Sequence, residues 1–108
     1  MARGIARGDI WLYRFAPPDK RRPVLVLSRP AALASLRTAI VAPITSTIHQ
    51  IASEVPLGVA DGLKVESAAN FDHLFTVAQS ELRQYVGHIG EERMVEACRA
   101  AQVALGCR

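Results

Sequence analysis

Apolar and polar positions alternate in short bursts along most of the chain, and only near the C-terminus does the repeat lengthen to that of a helix. The stretch "GDIWLYRF" (residues 8–15) sets Ile10 and Leu12 against Trp11, Tyr13 and Phe15, which predicts a strand covered on both faces at least in part. "APPDKR" breaks it, because Pro17 and Pro18 have no donor for a ladder and Asp19 favours a turn. "RPVLVLS" (22–28) is the second strand. After a turn-prone "RPAALASL", the run "TAIVAPITS" (38–46) predicts a third, buried strand, with Pro43 marking a bulge or an edge near its end. Weaker signals follow: a short edge strand in "SEVPLG", an Asp-Gly turn in "VADGLK", and one strand or a pair in "VESAANFDHLFTV". "QSELRQ" suits a single helical turn and "YVGHIG" a last short strand.

The closing segment "GEERMVEACRAAQVALG" places Met94, Val95, Cys98, Ala101, Gln102 and Leu105 along one face at helical spacing. Glu91 and Glu92 fall in the first turn, where the helix dipole favours acids, and Gly106 stops the helix. Five to seven short strands without βα alternation, closed by one helix, predict a mainly β protein: a small antiparallel barrel or half-barrel. At 108 residues, half of them apolar, the chain is expected to form one domain over residues 1–108. It has no apolar run of membrane-spanning length and no secretory h-region in "MARGIARGDIW", so a cytoplasmic protein is expected. Cys98 and Cys107 form no C-x-x-C pair, which argues against a zinc site or a disulfide framework.

Charge sharpens the picture. Residues 1–40 carry a net +6 and the remainder −3, and eleven of the thirteen basic residues are arginine, whose planar fork suits phosphate. A polyanion is the partner this asymmetry suggests. Nucleotide-binding loops, zinc-protease motifs and nucleophile elbows are missing, and three scattered histidines and four aspartates show no metal-ligand spacing. Neither a cofactor nor a metal is expected. Polar groups remain at the ends of apolar strands: Arg21 and Arg22 before the second, Thr45 and Ser46 after the third, Asp72 and His73 inside the "NFDHL" region. Taken alone, an arginine of this kind more often caps a solvated strand end, and a Thr-Ser-Thr run more often closes its own turn. His49 and His88, with no acidic neighbour in sequence, read as bystanders.

The pieces "GDIW", "RPVLVLS", "APITST" and "SEVPL", in that order, together with "VESAANFDHLFTV" and the terminal helix, resemble the MazF/PemK (Kid) family of toxin endoribonucleases over about residues 7–106. The resemblance implies an SH3-like barrel of the CcdB/PemK type with a C-terminal helix, and a homodimer. It further implies metal-independent cleavage of RNA and neutralisation by a cognate acidic antitoxin protein. The family's cleavage-site arginine and threonine carry over to Arg22 and Thr45, with Asp72 as the third catalytic candidate. RNA contacts are then expected from Lys20, Arg21, Ser46, Thr47, Asn70 and His73. With no metal to generate hydroxide, the nucleophile implied is the 2′-hydroxyl of the RNA itself, leaving a 2′,3′-cyclic phosphate and a 5′-hydroxyl.

Two departures bear on the chemistry. Kid-like members carry an arginine two positions before the aspartate matching Asp72, where this chain has Asn70, and many MazF-like members have glutamine in place of His73. The connection "APPDKRR" is also shorter than the Gly-containing loop that covers the RNA groove in many relatives, so sequence preference does not transfer. Two other readings belong to different classes: a CcdB-like gyrase poison, and a non-catalytic RNA- or protein-binding barrel. The first requires a tryptophan near the chain end, whereas the only tryptophan here is Trp11.

Overall fold

Alternation that feeds two cores explains the architecture. The computed structural model describes residues 4–16 and 20–107, so the break expected at Pro17, Pro18 and Asp19 lies outside the described residues. The strands are β1 (Asp9–Arg14), β2 (Arg21–Val26), β3 (Thr38–Thr45), β4 (Glu54–Leu57), β5 (Ser67–Asn70), β6 (Phe75–Ala78) and β7 (Gln84–His88). They form one antiparallel sheet in the order β4-β5-β3-β2-β1-β7, with β6 also paired to β3. Along β2, Leu25 joins one buried cluster with Ile10, Ala42, Ile44 and Phe71, while Val24 and Val26 join a second with Trp11, Val41 and Val77. Period-two alternation therefore buries both faces of the central strands, as the mixed pattern of "GDIWLYRF" requires. The sheet curls into a half-barrel around the first cluster.

Pro43 lies near the end of β3, two residues before Thr45, as expected. The second edge of β3 is paired by β6 as far as Val41 and by β5 from Ile44, so Pro43 falls where the strand changes partner. A residue without an N–H is tolerated at such a break. At the sheet's own margin, β4 is the edge strand anticipated in "SEVPLG", and its exposed Pro56 is typical of an edge. The region 65–77 resolves into a pair of strands, β5 and β6, joined by a 3₁₀ turn at Phe71–His73.

Two helices differ from expectation. The turn-prone "RPAALASL" forms a short helix, α1 (Pro30–Ser35), because Pro30 at the first helical position needs no N–H partner and three alanines follow within the same turn and a half. Its C-terminal end is tied down by the Gln79 carboxamide, whose Nε2 lies 3.1 Å from the Leu33 carbonyl and 3.0 Å from that of Leu36. The terminal helix, α2 (Glu91–Leu105), ends at Gly106 with a left-handed φ of 72°, as expected of a stop glycine. The face it buries overlaps the predicted stripe only at Met94 and Ala101, however. Met94, Ala97 and Ala100 pack on the core, whereas Val95 and Leu105 stay 51% and 68% exposed. Rotating the predicted stripe by one residue, about 100°, gives the observed one, whose alanines let the helix lie close to β4 and the Phe71–His73 turn. Among the described residues no helix is long and apolar enough to cross a membrane.

Candidate RNA-cleavage site

The antiparallel pairing of β2 and β3 brings two sequence-distant polar ends together. Val24 pairs with Pro43 and Val26 with Val41, so the same register, continued outward, sets Arg22 beside Thr45. β5 adds the third wall, since Ile44 pairs with Ala69 and Thr45 with Ala68, which leaves Asn70 next to Pro43. All three polar side chains thus leave one face of the sheet at its open end.

Two adjoining cavities record the result. A groove of about 710 Å³ is bordered by Arg21, Arg22, Thr45, Ser46 and Thr47 on one side and by Lys64, Gln84 and Tyr85 on the other. A smaller one, about 200 Å³, is lined by Phe15, Arg22, Pro43, Thr45 and Asn70. Arg22 and Thr45 therefore stand at the junction. The Thr45 hydroxyl oxygen accepts the Thr47 backbone N–H at 3.1 Å. That bond is the self-closing turn such triplets favour, and it uses the hydroxyl as an acceptor rather than as a donor. Arg21 donates to the Gln84 carboxamide oxygen at 3.4 Å, which ties the β2 end to β7 across the groove.

Of the residues singled out by sequence, Arg21, Arg22, Thr45, Ser46 and Thr47 line the groove, and Asn70 lines the smaller cavity with Arg22 and Thr45. Lys20, Asp72 and His73 line neither. Asp72 is exposed on the Phe71–His73 turn, where its carboxylate accepts the buried Ser53 hydroxyl at 2.6 Å and its N–H donates to the Asn70 side-chain oxygen at 2.9 Å. The structure makes it a fixture of the turn that presents Asn70. His73 is exposed on the same turn.

Sequence reading missed the far wall. Lys64 and Tyr85 arrive from a loop and a strand with no motif to mark them, and only the folded chain shows them opposite Arg22. The wall exists because two backbones meet there: a Cβ at Gly87 would lie 1.9 Å from the Asp61 carbonyl, so the Val59–Asp61 3₁₀ turn sits directly on β7. Gly62 follows with φ of 98° and turns the chain toward Lys64. His88 is no bystander either. Its Nδ1 lies 2.8 Å from the fully buried Asp9 carboxylate, which also accepts Trp11 Nε1–H at 3.1 Å and the Ala6 N–H at 2.9 Å. That pair fixes β1 against β7 behind the groove. Among the described residues, no group of three His, Cys, Asp or Glu is placed to hold a metal ion.

A curled antiparallel half-barrel closed by a C-terminal helix, with an arginine and a hydroxyl at paired strand ends, defines the class of small β-barrel proteins to which this chain is to be compared. Residues 6–105 match the family of PemK-like, MazF-like toxins of type II toxin-antitoxin systems, and the chain belongs to that family. It is 43% identical over 103 residues to the probable endoribonuclease MazF5 of Mycobacterium tuberculosis, covering 94% of each chain. Among solved structures it resembles the Mycobacterium tuberculosis toxin MazF-mt6, at 29% identity and a TM-score of 0.83, over 93% of this chain and 98% of that one. The same fold recurs, at 24% identity and a TM-score of 0.83, in a mycobacterial endoribonuclease in complex with its cognate antitoxin, over 96% of this chain and 97% of that one. The barrel implied by the resemblance is thus the one observed.

Proposed function

We propose that this toxin cuts RNA without a metal, by turning the ribose 2′-hydroxyl against its own phosphodiester at the junction of Arg22 and Thr45. The enzyme class, endoribonuclease, comes with the family and with the relative of 43% identity. What supports the chemistry is one observation: the paired ends of β2 and β3 place a guanidinium and a hydroxyl on the same two cavities. In the reaction the 2′-oxygen bonds to phosphorus while the bond from phosphorus to the 5′-oxygen breaks. The 2′-hydroxyl proton passes to water and the departing 5′-oxygen takes a proton from water, so the step balances. Negative charge grows on the two non-bridging oxygens. A guanidinium that donates two parallel hydrogen bonds stabilises that charge more than it stabilises the ground state, and Thr45 fixes the phosphate with its hydroxyl proton.

Asn70 faces the same space and orients the ribose or the flanking base. On this reading Asp72 acts through Asn70, by holding the turn, and His73 stays outside the cavity. Cytoplasmic action on cellular RNA, restraint by an acidic antitoxin and assembly as a homodimer complete the reading.

The test is digestion of total RNA by the purified protein in a chelator, with the ends identified. Cyclic phosphate and 5′-hydroxyl ends are expected, and an oligonucleotide with deoxyribose 5′ to the scissile bond should bind without being cut. Cleavage of that deoxy substrate, or 5′-phosphate ends, would mean that water is the nucleophile and that the mechanism is wrong.

A further inference from the structure

Beside the cleavage groove lies a third cavity, of about 380 Å³, that carries an excess of positive charge. Arg14, Arg21 and Arg83 line it together with Tyr13, and Glu81 is the only acid among the described residues there. Arg14 and Arg21 are directly opposed in the β1–β2 ladder. Like charges in that position repel, so the arrangement costs stability unless something negative sits between them. Among the described residues, internal partners do not supply it. Arg14 makes no hydrogen bond or ion pair among the described residues. Arg83 spends only its Nε, on the Ser80 carbonyl at 3.3 Å, and the Glu81 carboxylate accepts the Ala78 N–H at 3.3 Å. The cavity adjoins the groove, because Leu12, Arg21 and Gln84 line both.

We propose that the Arg14–Arg21–Arg83 cluster is a phosphate subsite for the RNA strand outside the scissile step. The proposal rests on the cleavage reading for its direction along the strand, but it is a statement about binding. Arginine forks take phosphodiester oxygens two at a time, and a positively charged path that tracks the backbone is what single-stranded nucleic acid favours. An acidic peptide would satisfy the charge without needing adjacency to the Arg22 junction. RNA needs that adjacency, since successive phosphates must run through both cavities.

Binding of a 2′-O-methylated oligonucleotide, which has no nucleophile and stays intact, tests this by fluorescence anisotropy across a range of salt. With a strand of about 16 nucleotides, Arg14→Gln and Arg83→Gln should each weaken affinity on the order of 5-fold and lower the slope of log affinity against log salt by about 0.7. A tetranucleotide, too short to leave the groove, should lose nothing. Arg99→Gln removes the same charge from the exposed side of α2 and should change neither. Circular dichroism melts confirm that each variant is folded. Equal losses with Arg99→Gln would reduce the effect to net charge and overturn the subsite. So would unchanged affinity for the long strand, including the case in which binding of an acidic antitoxin peptide falls instead. If wild type cuts no RNA yet the length-dependent losses appear, the subsite stands and the cleavage reading fails.

Discussion

Arg22 gains its significance from Thr45, which lies far along the chain, and each is ordinary without the other. An arginine at an exposed strand end is normally a solvated cap, and a Thr-Ser-Thr triplet is normally a turn. The β2–β3 register converts both into one side of a groove. If Arg22 acts on charge that appears only in the transition state, Arg22→Ala should slow cleavage on the order of 100-fold or more while RNA affinity falls far less. Single-turnover rates set against binding of the uncleavable strand measure the two separately; parallel losses would make Arg22 a binding residue. Thr45→Val, which keeps the shape and removes the proton donor, should slow cleavage similarly, whereas Thr45→Ser should keep much of it. Neither proposed role is visible in the residues themselves. The resemblance carried by "RPVLVLS … APITST" suggests both, and the β2–β3 pairing brings the two side chains together.

At the scale of elements, the groove's second wall depends on a strand packed against a turn with no side chain between. Gly87→Ala would place its Cβ on the Asp61 carbonyl, and the 59–64 segment would have to retreat from β7. Overpacking of that kind should destabilise the protein by about 3 kcal/mol and weaken RNA binding by displacing Lys64. Urea denaturation checks the first effect, and a cost below about 1 kcal/mol would show that the segment moves freely. The strands were legible because alternation has period two whatever the neighbours are. The buried face of α2 was not legible. Two apolar stripes a residue apart fit "RMVEACRAAQVAL" equally well, and the larger side chains of Val95 and Leu105 suggested the wrong one. Close approach favoured the alanines. Likewise, α1 looked like a turn because a helix so short draws its stability from docking, here through Gln79, rather than from propensity.

For the whole molecule, the distribution of charge sets how partners arrive. A net +6 over residues 1–40, with Arg21 and Arg22 at the groove, should attract an acidic antitoxin segment at rates and affinities that fall with salt. Titration of the purified pair at rising ionic strength checks it; salt-independent binding would shift the interface to the apolar surface. The homodimer is a second expectation at this scale. A half-barrel that leaves Leu36, Ile40, Val95 and Leu105 exposed carries apolar area that a second copy can cover. Light scattering at micromolar concentration should give twice 11.7 kDa, and a monomer there would contradict it.

The sequence by itself determined the mainly antiparallel strand pattern, the closing helix, the concentration of arginine and, through its ordered motifs, the family. Each of these is written in neighbours along the chain or in fixed spacings, which survive without knowledge of the fold. Only the tertiary structure decided which face of α2 is buried and that His88 pairs with Asp9 across the β1–β7 ladder. It also placed Asn70 beside Arg22 and Thr45 in the smaller cavity, with Asp72 outside. The physical reason is the same in every case. These outcomes depend on contacts between segments brought together by sheet register and close packing, and a one-dimensional pattern carries the period of each segment but not its partner.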